Sequence, residues 1–246
     1  IYCSITGFGQ NGPLALLPGY DFVIQAMAGI MSITGEKDGP PIKPGVAYAD
    51  IFTSLYSVIA IQAALHSRKK NRVGSFIDMS LYDTQLAVLA NQASTYLHTN
   101  KEPKRMGNKH PSIVPYQLFE AKDGDIIIAC GNDQQFKSLC NAFKWDFANS
   151  EKFSTNKKRI HNKIELINKL SNKLKKFKKE KIIKILNKAK VPVGNVNSVS
   201  EALKHVQTKS RKMIKTINGE KFLRTPILYD NLKLNYKKVA PELGDS

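Results

Sequence analysis

The stretch that most constrains this chain is residues 50–69, DIFTSLYSVIAIQAALHSRK. Its composition predicts a helix, and a helix of that length spans roughly 30 Å. Leu55, Ile59 and Ala63 fall on one side, while Ile51, Val58, Ile61 and Leu65 fill the others. A helix that is apolar nearly all round has to be covered on most sides, so this one is expected to be buried. Arg68, Lys69 and Lys70 close it with cations at the negative end of the helix dipole.

The surrounding pattern supplies covering layers. Residues 2–6 read as a buried strand, 7–18 as a loop punctuated by Gly7, Gly9, Gly12 and Pro13, and 21–33 as a helix. A turn-rich loop, TGEKDGPPIKPG, follows at 34–45. Residues 75–79 read as a second strand and 81–96 as another long helix. Strand, helix, strand, helix in that order predicts an α/β unit. After residue 97 the chain turns polar, HTNKEPKRMGNKHPS, and a domain boundary is placed there.

The second part is mixed. A strand is expected at 125–130 after the turn 122–124, and a helix at 133–143. Asn162 is read as the cap of a helix whose Ile167, Leu170, Leu174 and Phe177 share a face, and 181–190 as a helix with Ile182, Leu186 and Ala189 inward. Residues 191–195 are extended. Ser198 with Glu201 three residues on is a capping-box pattern, and 221–233 alternates like a strand.

Net charge is +18, which raises nucleic-acid binding as a function. The charge is concentrated: residues 1–100 are neutral, while 157–190 hold 14 Lys/Arg against two Glu. That segment has one aromatic residue, Phe177, and no interleaving of Arg with aromatics for base stacking, so a solvated Lys-rich helix pair is the preferred reading over a nucleic-acid surface. Cys3, Cys130 and Cys140 have no metal-ligand spacing and are read as reduced thiols. No stretch is read as the roughly 20 apolar residues of a membrane span. The opening IYCSITGFG, apolar from its first position, is read as the interior of a longer protein cut at its N-terminus.

Nine pieces in order resemble the family III CoA-transferases, the CaiB/BaiF family: ITGFGQNGP (5–13), PGYD (18–21), TGEKDGPP (34–41), GVAYAD (45–50), AIQAAL (60–65), IDMSLYD (77–83), GNKHPSIVPYQLF (107–119), GNDQQF (131–136) and VPVGNVNSVSEAL (191–203). The combination of the seventh with the eighth looks most like the succinyl-CoA:glutarate branch. The resemblance implies an α/β fold in which residues 1–97 are the C-terminal part of a Rossmann-like CoA-binding large domain. Residues 98–215 then form a smaller α+β domain, and 216–246 return toward the large one. It also implies an interlocked homodimer, acyl-CoA and carboxylic acid as substrates, CoA as a passing substrate rather than a resident cofactor, and no metal. A cytoplasmic location follows, or a mitochondrial matrix if the source is eukaryotic.

The family's catalytic aspartate falls on Asp50. A carboxylate can attack a thioester and form a mixed anhydride, releasing thiolate. The passing oxyanions call for nearby backbone N–H donors. From the residues alone Asp50 reads first as the N-cap of a helix beginning at Ile51 or Phe52, and the resemblance reverses that preference; the two roles are compatible, because a helix N-terminus keeps a carboxylate ionised. Asp21 matches a supporting active-site position, and a cap for the helix after it is the other reading. Gly107, Asn108 and His110 match a loop over the active site, although only Gly107 keeps the family's glycine. Gly7, Gly9 and Gln10 are candidates for lining the CoA cleft, or a plain strand-to-helix turn. Tyr20 stands where the related α-methylacyl-CoA racemases carry His; a phenol with an ordinary pKa near 10 is a poor two-base partner, so transfer is preferred to racemisation.

Overall fold

In the computed structural model, which describes residues 1–236, 238, 239, 241, 243 and 244, the first strand β1 (Tyr2–Thr6) pairs in parallel with β2 (Phe76–Ser80), Tyr2 opposite Phe76 and Thr6 opposite Ser80. A parallel pair needs a crossover between its strands. Here the crossover is α1 (Asp21–Met27), α2 (Ile30–Ile33) and α3 (Tyr48–Asn71). Then α4 (Leu81–Ala87) and α5 (Asn91–Thr99) follow β2. This is the α/β unit expected from the pattern. It forms most of one compact unit, Ile1–Gln117, and Leu118–Ser246 form the other.

Two expected helices are each divided. The helix expected at 21–33 breaks at Gly29, whose φ of 90° is left-handed territory open to glycine. The helix expected at 81–96 breaks at Ala90, also at positive φ. The loop 101–115, whose polar texture marked the domain change, packs with the first unit: Gly107 N–H donates to Gly35 O at 2.9 Å and the Arg105 guanidinium to Gly39 O at 2.9 Å.

The long helix departs from expectation in its burial. Only Ala49, Thr53 and Ser57 on α3 are buried, an i, i+4 stripe of small residues packed against α1 and α4. The two hydroxyls are satisfied on the helix itself, Thr53 Oγ1 donating to Ala49 O and Ser57 Oγ to Thr53 O, both at 2.8 Å. Ile51, Leu55, Val58 and Ile59 are exposed, and so are Tyr2, Ile5 and Phe76 on the strands. The strand 2–6 is therefore not buried: two strands offer too little sheet to cover both faces. By length and composition alone α3 is also apolar enough to cross a membrane, contrary to the sequence expectation. Within this fold it is an element of the α/β unit, in contact with both strands.

The second unit carries a three-stranded sheet in the order β3 (Tyr116–Ala121, its first two residues counted with the first unit), β4 (Gly124–Ala129), β5 (Val193–Asn195), with β4 and β5 antiparallel. Strand β3 was not anticipated. Its core is Phe119, Ile126 and Ile128 from the sheet, with Phe136 and Leu139 from α6 (Asp133–Ala142). After two 3-10 turns come α7 (Asn156–His161), α8 (Lys163–Leu174) and α9 (Lys179–Lys188). The Lys-rich helices bury Leu166, Leu170 and Leu174 on α8, and Ile182 and Leu186 on α9, leaving their lysines outside.

Arg159 is the exception among these cations. It is fully buried, pairs with Asp133 at 2.8 Å, donates to Phe153 O and lies over the Phe136 ring. Asn162 stands at the start of α8 but does not cap it through its side chain, which donates instead to Lys152 O and Lys158 O. The remaining elements are α10 (Val199–Lys204), with the expected Ser198–Glu201 capping box, α11 (Val206–Ser210), and a hairpin of β6 (Ile214–Ile217) and β7 (Glu220–Leu223). Asn218 and Gly219 turn that hairpin, both at positive φ, as a two-residue Asn-Gly turn requires. Strand structure ends at Leu223 rather than running to 233.

Candidate active site

Asp50 is the third residue of α3, not its cap. The helix begins at Tyr48, after Ala47, which has no side chain to cap with. The first turn nonetheless finds its acceptor, and it comes from elsewhere in the chain. Asp21 Oδ1 accepts from Ala49 N–H at 2.8 Å and from Asp50 N–H at 3.4 Å. Asp21 is thus not the cap of its own helix α1, where it occupies the first helical position, but a carboxylate delivered to the N-terminus of α3. There two orphan amides and the positive end of the dipole both favour it.

Its second oxygen, Oδ2, accepts from Gln25 Nε2 at 2.7 Å. Gln25 is one turn further along α1 and wholly buried. Sequence reading passed over it, although the Asp21–Gln25 i, i+4 spacing on a predicted helix was visible.

The Asp50 side chain itself is exposed. Partial burial around the carboxylate, and then the negative charge of Asp21, hold its pKa above the ordinary value of 3.8. The result is a reachable carboxylate, more basic than usual, on a main chain fixed by a second carboxylate.

Tyr20 precedes this pair and is exposed; its carbonyl accepts Ile24 N–H at the start of α1. Gly19, just before it, packs backbone to backbone against Gly7: a Cβ on either would fall 2.7 Å from the other's Cα. Gly7 therefore positions the PGYD segment, and its carbonyl accepts Tyr82 N–H at 3.0 Å. The amides of Gly9 and Gln10 are engaged within the protein, Gly9 N–H on Thr6 Oγ1 at 2.8 Å and Gln10 N–H on Asp78 Oδ2 at 2.9 Å. The loop is held to β2, and its surface is what it offers a ligand. Asp78 is a second residue that the sequence reading did not single out.

Of Gly107, Asn108 and His110, Gly107 is the one held against the 34–39 loop, its N–H on Gly35 O. Gly107 has a φ of 57° and lies against the Glu36 carboxylate, which a Cβ would meet at 2.6 Å. The His110 ring packs tilted at 51° against Tyr116, centroids 4.9 Å apart; its backbone N–H donates to Tyr116 O, and its Nδ1 accepts Ser112 N–H. Asn108 is exposed. The backbone donors at Ala49, Asp50, Gly9, Gln10, Gly107 and His110 are thus all hydrogen-bonded within the chain, and the expectation of ready oxyanion donors meets no such group among them. A cleft of ≈ 660 Å³ lies in the second unit at the C-terminal hairpin, lined by Arg211, Lys212, Lys215, Arg224 and Tyr229 among others, and includes none of the predicted site residues. Among the described residues no three His, Cys, Asp or Glu side chains gather as metal ligands would.

The sequence matches the model of CoA-transferase family III over residues 1–246. It is 44% identical to a succinate–glutarate CoA-transferase of Agrobacterium fabrum, covering 100% of this chain and 63% of that protein. It is 38% identical to the human succinyl-CoA:glutarate CoA-transferase, covering 99% and 57% respectively. The fold superposes on the crystal structure of a CaiB/BaiF family protein from Brucella suis with a TM-score of 0.87 and 48% identity, over 98% of this chain and 64% of that one. The chain thus spans about three fifths of the length of these two curated relatives.

Proposed function

The chain belongs to CoA-transferase family III, and on that footing we propose that the protein carrying it moves CoA between an acyl-CoA and a free carboxylic acid, with Asp50 as the nucleophile. The observation that carries this reading is the exposed Asp50 carboxylate, its pKa raised, on a helix start held by Asp21.

In the proposed sequence Asp50 attacks the acyl-CoA carbonyl carbon, the C–S bond breaks, and CoA thiolate leaves a mixed anhydride. The thiolate then attacks the aspartyl carbonyl, releasing the donor acid and leaving an aspartyl-CoA thioester. The acceptor carboxylate attacks that thioester, regenerates an anhydride and frees the thiolate. Attack of the thiolate on the acceptor's acyl carbon gives the new acyl-CoA and restores Asp50. A succinyl donor and a glutarate-like acceptor are the first pair to test, because two relatives carry those names.

The two units are proposed as parts of a larger CoA-binding domain and a smaller α+β domain. The exposed Ile51, Leu55, Val58 and Ile59 of α3 fit a surface that the rest of the protein or a second copy covers, in keeping with a dimer. A reducing compartment, cytoplasm or matrix, suits three free cysteines.

The test is to incubate the full-length protein with succinyl-CoA and hydroxylamine and map the adduct. A hydroxamate on Asp50, with loss of both adduct and transfer activity in Asp50→Ala, is expected. An active Asp50→Ala protein overturns the mechanism.

A further inference from the structure

We infer that Gln25 and Asp21 form a positioning pair for the nucleophile, in which the buried Gln25 amide fixes the Asp21 carboxylate and that carboxylate holds the backbone amides of Ala49 and Asp50. The inference deepens the reading of Asp50 as nucleophile and rests on it.

The geometry divides the two oxygens of one carboxylate between two helices. Oδ2 is bound within α1 by Gln25 Nε2 at 2.7 Å, and Oδ1 reaches across to the first turn of α3 at 2.8 and 3.4 Å. A rotation of the Asp21 side chain that frees one oxygen displaces the other. Because one of the amides belongs to Asp50 itself, any shift of Asp21 passes directly to the main chain that carries the reacting group.

Gln25 is also an improbable residue for packing alone. It has no exposed surface, and among the described residues its Oε1 finds no hydrogen-bond partner. A buried amide with one half unsatisfied is less favourable than a leucine or methionine of similar size. Its presence is explained by its N–H on Asp21.

The unsatisfied Oε1 also makes the pair testable by parts. In Asp21→Asn, the asparagine oxygen can still accept from α3. Rotation of the Gln25 amide would then bring its free Oε1 to the new Nδ2, so the frame persists without the charge. Asp21→Ala removes frame and charge together, and Gln25→Leu loosens the frame while leaving the charge.

Steady-state kinetics and hydroxylamine trapping on the full-length protein test the idea. A misplacement of about 1 Å can cost on the order of 10²-fold in rate. Gln25→Leu and Asp21→Ala are therefore expected to lower kcat by roughly ten- to hundredfold, with KM for acyl-CoA changed by less than about threefold. The rate of adduct formation should fall by the same factor. The melting temperature of Gln25→Leu should hold or rise, and Asp21→Asn should recover about tenfold of the kcat lost in Asp21→Ala. Gln25→Met replaces Gln25→Leu if the latter does not fold. Wild-type kcat in the Gln25 variant, or Asp21→Asn as impaired as Asp21→Ala, overturns the pair. An active Asp50→Asn protein overturns the underlying reading instead, so the two failures are distinguishable.

Discussion

Replacing Gly7 with alanine adds one methyl group at a point where two backbones touch. The new Cβ would stand 2.7 Å from Gly19 Cα and 3.0 Å from Gly19 N, whereas ordinary contact begins at 3.4 Å. The two segments must part by the difference, about 0.7 Å. Gly7 is anchored by Tyr82 N–H on its carbonyl at 3.0 Å, and its loop by Gly9 N–H on Thr6 Oγ1 at 2.8 Å. The Gly19 side should therefore give, and Gly19 leads through Tyr20 into Asp21. If the whole displacement reaches Asp21, its 2.8 Å bond to Ala49 N–H opens to about 3.5 Å, the weak limit of hydrogen bonding.

Overpacking of this kind costs about 1–3 kcal/mol. At roughly 2–4 °C per kcal/mol for a domain of this size, the melting temperature should fall by about 2–12 °C. Transfer activity should fall by about tenfold or more. Gly19→Ala makes the same contact and adds Phe8 Cε2 at 3.2 Å and Ile24 Cδ1 at 3.3 Å. The double variant should cost less than the two singles combined, because the first methyl already opens the gap. Thermal melts and succinyl-CoA transfer kinetics on the full-length protein measure both effects. A Gly7→Ala protein with unchanged melting temperature and unchanged kcat/KM would refute the chain of contacts from Gly7 to Asp21.

The raised pKa of Asp50 sets the sign of the pH dependence: the ionised form attacks, and it is lost on acidification at a pH above the ordinary 3.8. The acid limb of kcat/KM should lie above that value and move down toward it in Asp21→Asn, since removing the neighbouring charge leaves only burial to raise it; a limb at or below 3.8 in the unmodified protein contradicts this. In the second unit, Arg159→Ala empties a fully buried site and leaves Phe153 O without its donor. It should cost about 3–5 kcal/mol in urea melts, with Arg159→Met recovering part by refilling the space. Burial pushes the Cys130 and Cys140 thiols up to about 12, so iodoacetamide at neutral pH should leave both unmodified in the folded protein and label Cys3 first.

Much of this was legible in the residues. The ordered motifs pointed to the family and to Asp50, and the capping box at Ser198 and Glu201 appears as expected, because all its partners lie within four residues. The Asn218–Gly219 hairpin turn is equally local, since an Asn-Gly pair by itself specifies a two-residue turn. The strand β3 was hidden for a physical reason: YQLFEA buries Phe119 and Ala121 on one face, a weak alternation that only pairing with β4 makes decisive.

The caps show where sequence stops. A residue's position before a helix made Asp50 and Asp21 look like caps of the helices that follow them, and neither is. Asp21 caps α3, which starts 27 residues later in the chain, and Asp123 likewise accepts Lys179 N–H at the start of α9 from 56 residues away. A helix N-terminus needs an acceptor, and that need is local; which carboxylate meets it depends on where the tertiary fold brings one.

The same division holds for burial. Composition required that the apolar sides of α3 be covered. The packing of α1 and α4 chose its small face, Ala49, Thr53 and Ser57, because only there can helix backbones approach closely. Sequence determined that a carboxylate stands at the head of an apolar helix. The tertiary structure decided that a second carboxylate, held by a buried glutamine, would stand against its amides, where partial burial and then that second charge make the first more basic.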